Sequence, residues 1–106
     1  MLTSVSSRDT YHRMILSAKG KLIEQLLAGK PGKGFPADVF KVAVRKVAML
    51  EAALVLDDLR VPPANRLEAL KGDRAGQHSI RINDQWRICF TWTEHGPEDV
   101  EITDYH

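Results

Sequence analysis

The chain closes on Asp104-Tyr105-His106, which sets a carboxylate, a phenol and an imidazole in a row on a stretch that alternates like a strand. An imidazole, with an unperturbed pKa of roughly 6.5, exchanges a proton near neutrality. Asp104 and the terminal carboxylate favour the protonated form of His106. Three cations, Lys71, Arg81 and Arg87, stand in or at the ends of strand-like stretches upstream. They can hold phosphate, arginine bidentately, and Tyr105 can stack on an unpaired base or donate a hydrogen bond. This set is enough for metal-free RNA cleavage. The neighbouring 2′-OH attacks phosphorus, cations stabilise the non-bridging oxygens, and an acid protonates the departing 5′-oxygen. Each residue also has a plainer role. A histidine at a chain end is usually solvated, Tyr105 can pack, and Arg81 and Arg87 can pair with Glu101 and Asp104 across strands.

Other chemistries find less support. The single cysteine, Cys89, excludes an intrachain disulfide and a Cys-rich zinc site, and it fits a reducing compartment. His78, His95 and Cys89 have no recognisable metal spacing, so no metal or cofactor is expected. The turn Lys71-Gly72-Asp73-Arg74-Ala75-Gly76 lacks the spacing of a nucleotide-binding loop. No apolar run approaches the roughly 20 residues that span a bilayer, and the first residues do not read as a signal peptide. The expectation is a cytoplasmic protein without a membrane partner.

At 106 residues with 43% hydrophobic content, one domain with a real core is expected. The net charge of +1 is unevenly spread. Between Ser17 and Leu50, Lys19, Lys21, Lys30, Lys33, Lys41, Arg45 and Lys46 face only Glu24 and Asp38, whereas acids outnumber bases from Glu51 onward. A cationic block of this kind suggests an anionic partner, and Lys33, Lys41, Arg45 and Lys46 are candidates to bind RNA, together with Arg81. A solvated helix face explains the same charges equally well.

The elements that must position these residues change period along the chain. Residues 1–13 are polar and Ser/Thr-rich and read as a poorly ordered leader ahead of a domain over 14–106. Met14 to Ser17 suggests a first strand. Leu22, Ile23, Leu26 and Leu27 give one apolar face to a helix over Lys19–Lys30. Pro36 opens a second helix over Ala37–Leu54, with Phe40, Ala43, Val47, Leu50 and Leu54 as its core stripe. The short loop between predicts an antiparallel pair. Pro62 and Pro63 predict an extended connector over residues 57–65. The period then becomes 2. Strands are expected at Leu67–Leu70, His78–Ile82, Trp86–Thr93 and around Val100–Ile102, with a tight hairpin of positive φ at Asn83-Asp84. Ile80, Ile82, Trp86, Ile88, Phe90, Trp92, Val100 and Ile102 face inward. Arg81, Arg87, Cys89, Thr91, Thr93, Glu101, Thr103 and Tyr105 face outward, as does Ser79. The expected fold is α+β: two N-terminal helices packed on one face of a small antiparallel sheet of four or five strands, the other face open to solvent or ligand.

At Asn65-Arg66-Leu67-Glu68-Ala69-Leu70-Lys71-Gly72-Asp73-Arg74, Gly76-Gln77-His78-Ser79-Ile80-Arg81-Ile82, Gln85-Trp86-Arg87-Ile88 and Asp104-Tyr105-His106, the sequence resembles the HigB family of bacterial toxins, within the wider RelE/ParE superfamily. The combination is specific, though each piece alone is weak. Gly34-Phe35-Pro36 and Arg45-Lys46 also look like the family's helical region. The resemblance implies a toxin of a type II toxin–antitoxin system that cleaves messenger RNA, typically at the ribosome, without a metal. It implies a helix-turn-helix antitoxin of the HigA type as partner, through which the complex reaches operator DNA. Carried over by motif, the catalytic candidates are Lys71, Arg87, Asp104, Tyr105 and His106. His106 would be general acid or base, Lys71 and Arg87 would stabilise phosphate charge, Tyr105 would orient the base or proton transfer, and Asp104 would position its neighbours. Two departures stand out: residues 1–13 extend beyond the usual start, and Ala18 stands where an aromatic is expected. Two rival readings share the fold: a ParE-like gyrase inhibitor, which needs no terminal histidine, and an inactive toxin-fold binding module.

Overall fold

The computed structural model describes residues 15–30 and 35–104. Met14, Lys33, Tyr105 and His106 lie outside the described residues, as does the leader. The first helix, α1, spans Lys21–Leu27 and buries Ile23 and Leu26. It is shorter than the apolar periodicity suggested. Gly20 takes a positive φ of 99° at its start, and the chain leaves the helix at Ala28. The second helix, α2, spans Ala37–Ala52 behind Pro36 and buries Val39, Ala43, Val47 and Leu50. Phe40 is only half-buried and meets Phe35 edge to face, ring centroids 5.2 Å apart.

The core stripe ends sooner than its period implied. Leu54 lies beyond the helix and is 83% exposed. The reason is a turn held by Asp58, whose Oδ2 accepts from the backbone N–H of Leu54 at 2.8 Å and of Val55 at 3.2 Å. The connector is likewise not extended. It coils into two 3-10 turns, Leu56–Arg60 and Pro63–Asn65. Proline breaks an α-helix interior but suits the first position of a helical turn, as Pro63 does here. The Val61–Pro62 peptide bond is cis.

Four strands follow, β1 (Glu68–Ala69), β2 (His78–Arg81), β3 (Trp86–Thr93) and β4 (Gly96–Asp104). They form one antiparallel sheet in the order β1-β2-β3-β4. Ile80, Ile82, Ile88, Phe90, Val100 and Ile102 meet the buried residues of both helices in a single core. The chain is thus α+β, with two helices and a four-stranded antiparallel sheet. The β2–β3 turn does not use positive φ at Asn83 or Asp84. Instead Asn83 Oδ1 accepts from the N–H groups of Gln85 and Trp86, each at 2.8 Å, so the amide side chain closes the turn.

The expected first strand is replaced by a stitch. Residues 16–19 run beside β4 with one parallel bridge, Ala18 to Val100. Leu16 N–H donates to Pro97 O, Val100 N–H to Ser17 O, and Lys19 N–H to Val100 O, at 2.8–3.0 Å. β4 carries a bulge here: its register with β3 steps from Cys89–Glu101 to Thr91–Glu98. The extra residue places Asp99 at φ 53°, and Ser17 Oγ accepts from its N–H at 2.8 Å. A bulge bends a strand and re-aims its groups. This one turns the β4 edge toward the incoming segment.

Candidate active site

The register of the sheet sets the outward residues in rows across the strands. One row crosses the strands as Glu68, Ser79, Cys89 and Glu101. The next pairs Arg81 with Arg87 and Arg87 with Thr103. Asp104 lies one step further, opposite Trp86. Arg81 and Arg87 therefore come together on one face at one end of the sheet, and Asp104 lies at that end on the face of Trp86. Lys71 does not join them there. It follows Leu70, whose N–H bonds Gln77 O, and Gln77 precedes Arg81 by four residues, about 13 Å of strand.

Arg87 is the most constrained of the candidates. Its side chain is 13% exposed. Its Nε–H donates to Ser79 Oγ at 2.8 Å and its Nη2 to Arg66 O at 2.9 Å. Nη2 also lies 3.3 Å from Glu68 Oε1. The guanidinium thus reaches from β3 across β2 to β1. Arg66 presents its carbonyl from a left-handed conformation, φ 47° and ψ 56°, which a non-glycine residue holds only where the surroundings demand it. Arg81 pairs with Asp84, and Asp104 accepts from Gln85 Nε2 at 3.1 Å.

A second arginine, in the motif but not among the nominated residues, covers the other row. Arg74 Nη1 donates to Gln77 Oε1 at 3.0 Å and to Glu101 Oε1 at 3.2 Å. Ser79, which accepts from Arg87, and Cys89 are fully buried on a face expected to be open. Alternation alone locates a face. It does not say which long side chains fold down over it.

The basic helix residues divide. Lys41 and Arg45 are exposed on α2. Lys46 was expected with them on an RNA-binding surface, and the structure corrects this: it is 9% exposed, and its Nζ donates to Asn65 Oδ1 at 2.6 Å. Position 46 lies three residues after Ala43 and one before Val47, within the buried stripe. Burial holds the Lys46 ammonium below the usual lysine range, and the nearby Arg45 and Arg81 push it further.

The family described as "RelE-like toxin of type II toxin-antitoxin system HigB" matches residues 16–106. The chain belongs to this HigB-like toxin family. It is 39% identical to Toxin HigB-1 of Vibrio cholerae serotype O1 over 82 residues, covering 76% of this chain and 86% of the relative. It is 40% identical to an uncharacterized protein of Haemophilus influenzae over 57 residues, 54% of this chain and 56% of that protein. Membership of a type II toxin–antitoxin family implies an antitoxin partner. No helix among the described residues of this HigB-like toxin is long and apolar enough to cross a membrane. No group of His, Cys, Asp and Glu side chains among them could hold a metal ion.

Cys89 gives this HigB-like toxin an internal reporter. Burial pushes its thiol above the ordinary value, while the Thr103 hydroxyl, Arg74 and Arg87 pull it back and Glu101 adds to the rise. A buried, protonated thiol is a poor nucleophile. The native protein is expected to be silent to a disulfide-exchange reagent at pH 8 and to react with one equivalent once denatured. Rapid reaction of the folded protein would show that the row is open to solvent. Above the ordinary thiol value the unfolded chain ionises first, so this group's contribution to stability falls as pH rises.

Proposed function

We propose that the chain is a metal-independent endoribonuclease that cleaves messenger RNA at the translating ribosome and is neutralised by a HigA-type helix-turn-helix antitoxin. The observation that carries the reading is the seating of Arg87. A guanidinium only 13% exposed, held by Ser79, Arg66 and Glu68, is a pre-oriented phosphate ligand of the kind that stabilises developing charge without reorganising. Arg81 stands directly across from it, and Asp104, which precedes Tyr105 and His106 in the sequence, ends its strand at the same end of the sheet.

In the proposed reaction Arg87 meets the non-bridging oxygens of the scissile phosphate. His106 serves as acid or base between the 2′-hydroxyl and the departing 5′-oxygen, and Tyr105 orients the base or the proton transfer. Asp104 positions these two neighbours. Lys71, at the far end of the face, supplies positive charge to the phosphate chain. Exposed Lys41 and Arg45 supply sequence-independent contacts to RNA. Any contact of the complex with operator DNA runs through the antitoxin, and the setting is the cytoplasm, where ribosomes and messages are.

The test is induction in bacteria of the chain beside His106→Ala, with transcript ends mapped. The reading expects growth arrest, new 5′ ends within open reading frames, and loss of both in the variant. Arrest with messages intact would move the target elsewhere and favour a gyrase-type toxin. Good expression without arrest would leave a binding module.

A further inference from the structure

We propose that Ser79 is a positioning residue for Arg87, its hydroxyl fixing the plane of the guanidinium that meets the phosphate. The inference rests on the ribonuclease reading above. Ser79 stands on the outward side of β2, diagonally across from Arg87 on β3, since Ser79 pairs with Cys89 and Arg81 with Arg87. It is nevertheless fully buried, because the Arg87 side chain lies over it and donates Nε–H to its Oγ at 2.8 Å.

Ser79, Arg66 and Glu68 do not act equally on Arg87. Glu68 is 58% exposed on its side chain, so water and salt screen its pull. The Arg66 carbonyl takes one N–H of Nη2 at 2.9 Å and fixes one point. The Ser79 hydroxyl takes Nε, at the root of the same edge, and with two points along an edge the plane is set. The direction in which Nη1 presents its protons to a phosphate oxygen follows from that plane, because the guanidinium is rigid and planar. Ser79 is also sheltered from water, so its hydrogen bond to a charged group is of the stronger kind. A small misplacement of a charge-stabilising group is costly in rate even when binding survives.

The test compares cleavage of translated message by the full chain carrying Ser79→Ala, Ser79→Thr, Ser79→Val, Arg87→Ala and the pair Ser79→Ala/Arg87→Ala, each checked for folding by thermal melt. Threonine and valine have nearly the same volume and differ in the hydroxyl. The expected result is a roughly ten- to hundredfold lower kcat for alanine and valine, with KM for the message within about twofold. Threonine restores most of the rate, and Ser79→Ala adds nothing to Arg87→Ala. If Ser79→Ala does not fold, the threonine and valine pair decides. Equal rates for threonine and valine would overturn the proposal, because volume and not the hydroxyl would then matter. Losses that multiply in the double variant would overturn it too, because Ser79 would be acting apart from Arg87. If the wild-type chain cleaves no message, the ribonuclease reading itself fails and the proposal falls with it. Cleavage by wild type with an unimpaired Ser79→Ala would sink the proposal alone.

Discussion

If the proposed ribonuclease reading holds, Arg87→Ala lowers the rate of message cleavage by about a hundred- to a thousandfold, the usual consequence of removing one pre-oriented donor to developing charge. The size follows from how the side chain is held. At 13% exposure, with Ser79 and Arg66 accepting its protons, the guanidinium has already lost the freedom that a surface arginine would give up on binding. Alanine removes the charge and also uncovers Ser79, so some loss of stability accompanies the loss of rate, about 1–2 kcal/mol for the hydrogen bonds. Arg87→Lys separates the two. It keeps the charge but has neither the Nε–H nor the fork, and should fall between wild type and alanine. Single-turnover cleavage with a thermal melt on each variant reads both quantities. A folded Arg87→Ala protein that cuts at the wild-type rate would remove Arg87 from the site.

The largest effect on stability is expected at Asn65. This residue is fully buried, and its Oδ1 accepts from Lys46 Nζ at 2.6 Å. Its Nδ2 faces the Leu59 carbonyl at 3.1 Å and the Val61 carbonyl at 3.4 Å. One amide therefore ties α2 to both turns of the connector. Asn65→Ala strips the acceptor from a buried ammonium and a donor from the Leu59 carbonyl. Leaving a buried donor without its acceptor costs roughly 1–3 kcal/mol, and the upper end applies because the donor is an ammonium. At about 4–8 °C per kcal/mol for a domain of this size, the melting temperature should drop by roughly 15 °C. Replacing both partners, Lys46→Met with Asn65→Leu, should recover part of this, since no charge is then left stranded. A loss below about 1 kcal/mol in Asn65→Ala would mean that Lys46 swings out to water at no cost.

The same pair sets a pH dependence. Burial, Arg45 and Arg81 lower the Lys46 pKa, so the folded protein releases this proton at a lower pH than the unfolded chain does. Between the folded value and the ordinary lysine value the unfolded state binds more protons, and this group's contribution to stability rises with pH. The Cys89 thiol acts in the opposite sense over the alkaline range.

Long periodic stretches were legible in the sequence, and short, side-chain-made features were not. The eight residues of β3 and the buried Ala43, Val47 and Leu50 of α2 follow from spacing, because burying an apolar face decides them. The connector misled because Pro62 and Pro63 exclude an α-helix without specifying what replaces it, and Asp58 and Asn65 choose 3-10 turns by accepting backbone and lysine protons. Asn83 was located as a turn residue but acts through its amide oxygen and not through positive φ. Lys46 reads as one more cation in a basic block until its place in the stripe is set against Asn65, 19 positions along the chain. Arg87 stood out through its motif, whereas Ser79, Glu68, Arg66 and Arg74 did not, because their contribution is visible only once the strands are in register. The one available signal for Arg74 was its presence in the same motif as Lys71.

The stitch at Ser17 has a consequence for synthesis. Ser17 and Asp99 are 82 positions apart, and closing so long a loop is slow relative to local helix formation. During vectorial synthesis, segments fold as they emerge and early segments wait for late ones. The edge of β4 cannot be sewn to residues 16–19 until the strand bearing Asp99 has left the ribosome. The contacts that seat Arg87, all from residues 66–79, are available earlier, so the edge stitch is the last part of the sheet to be completed.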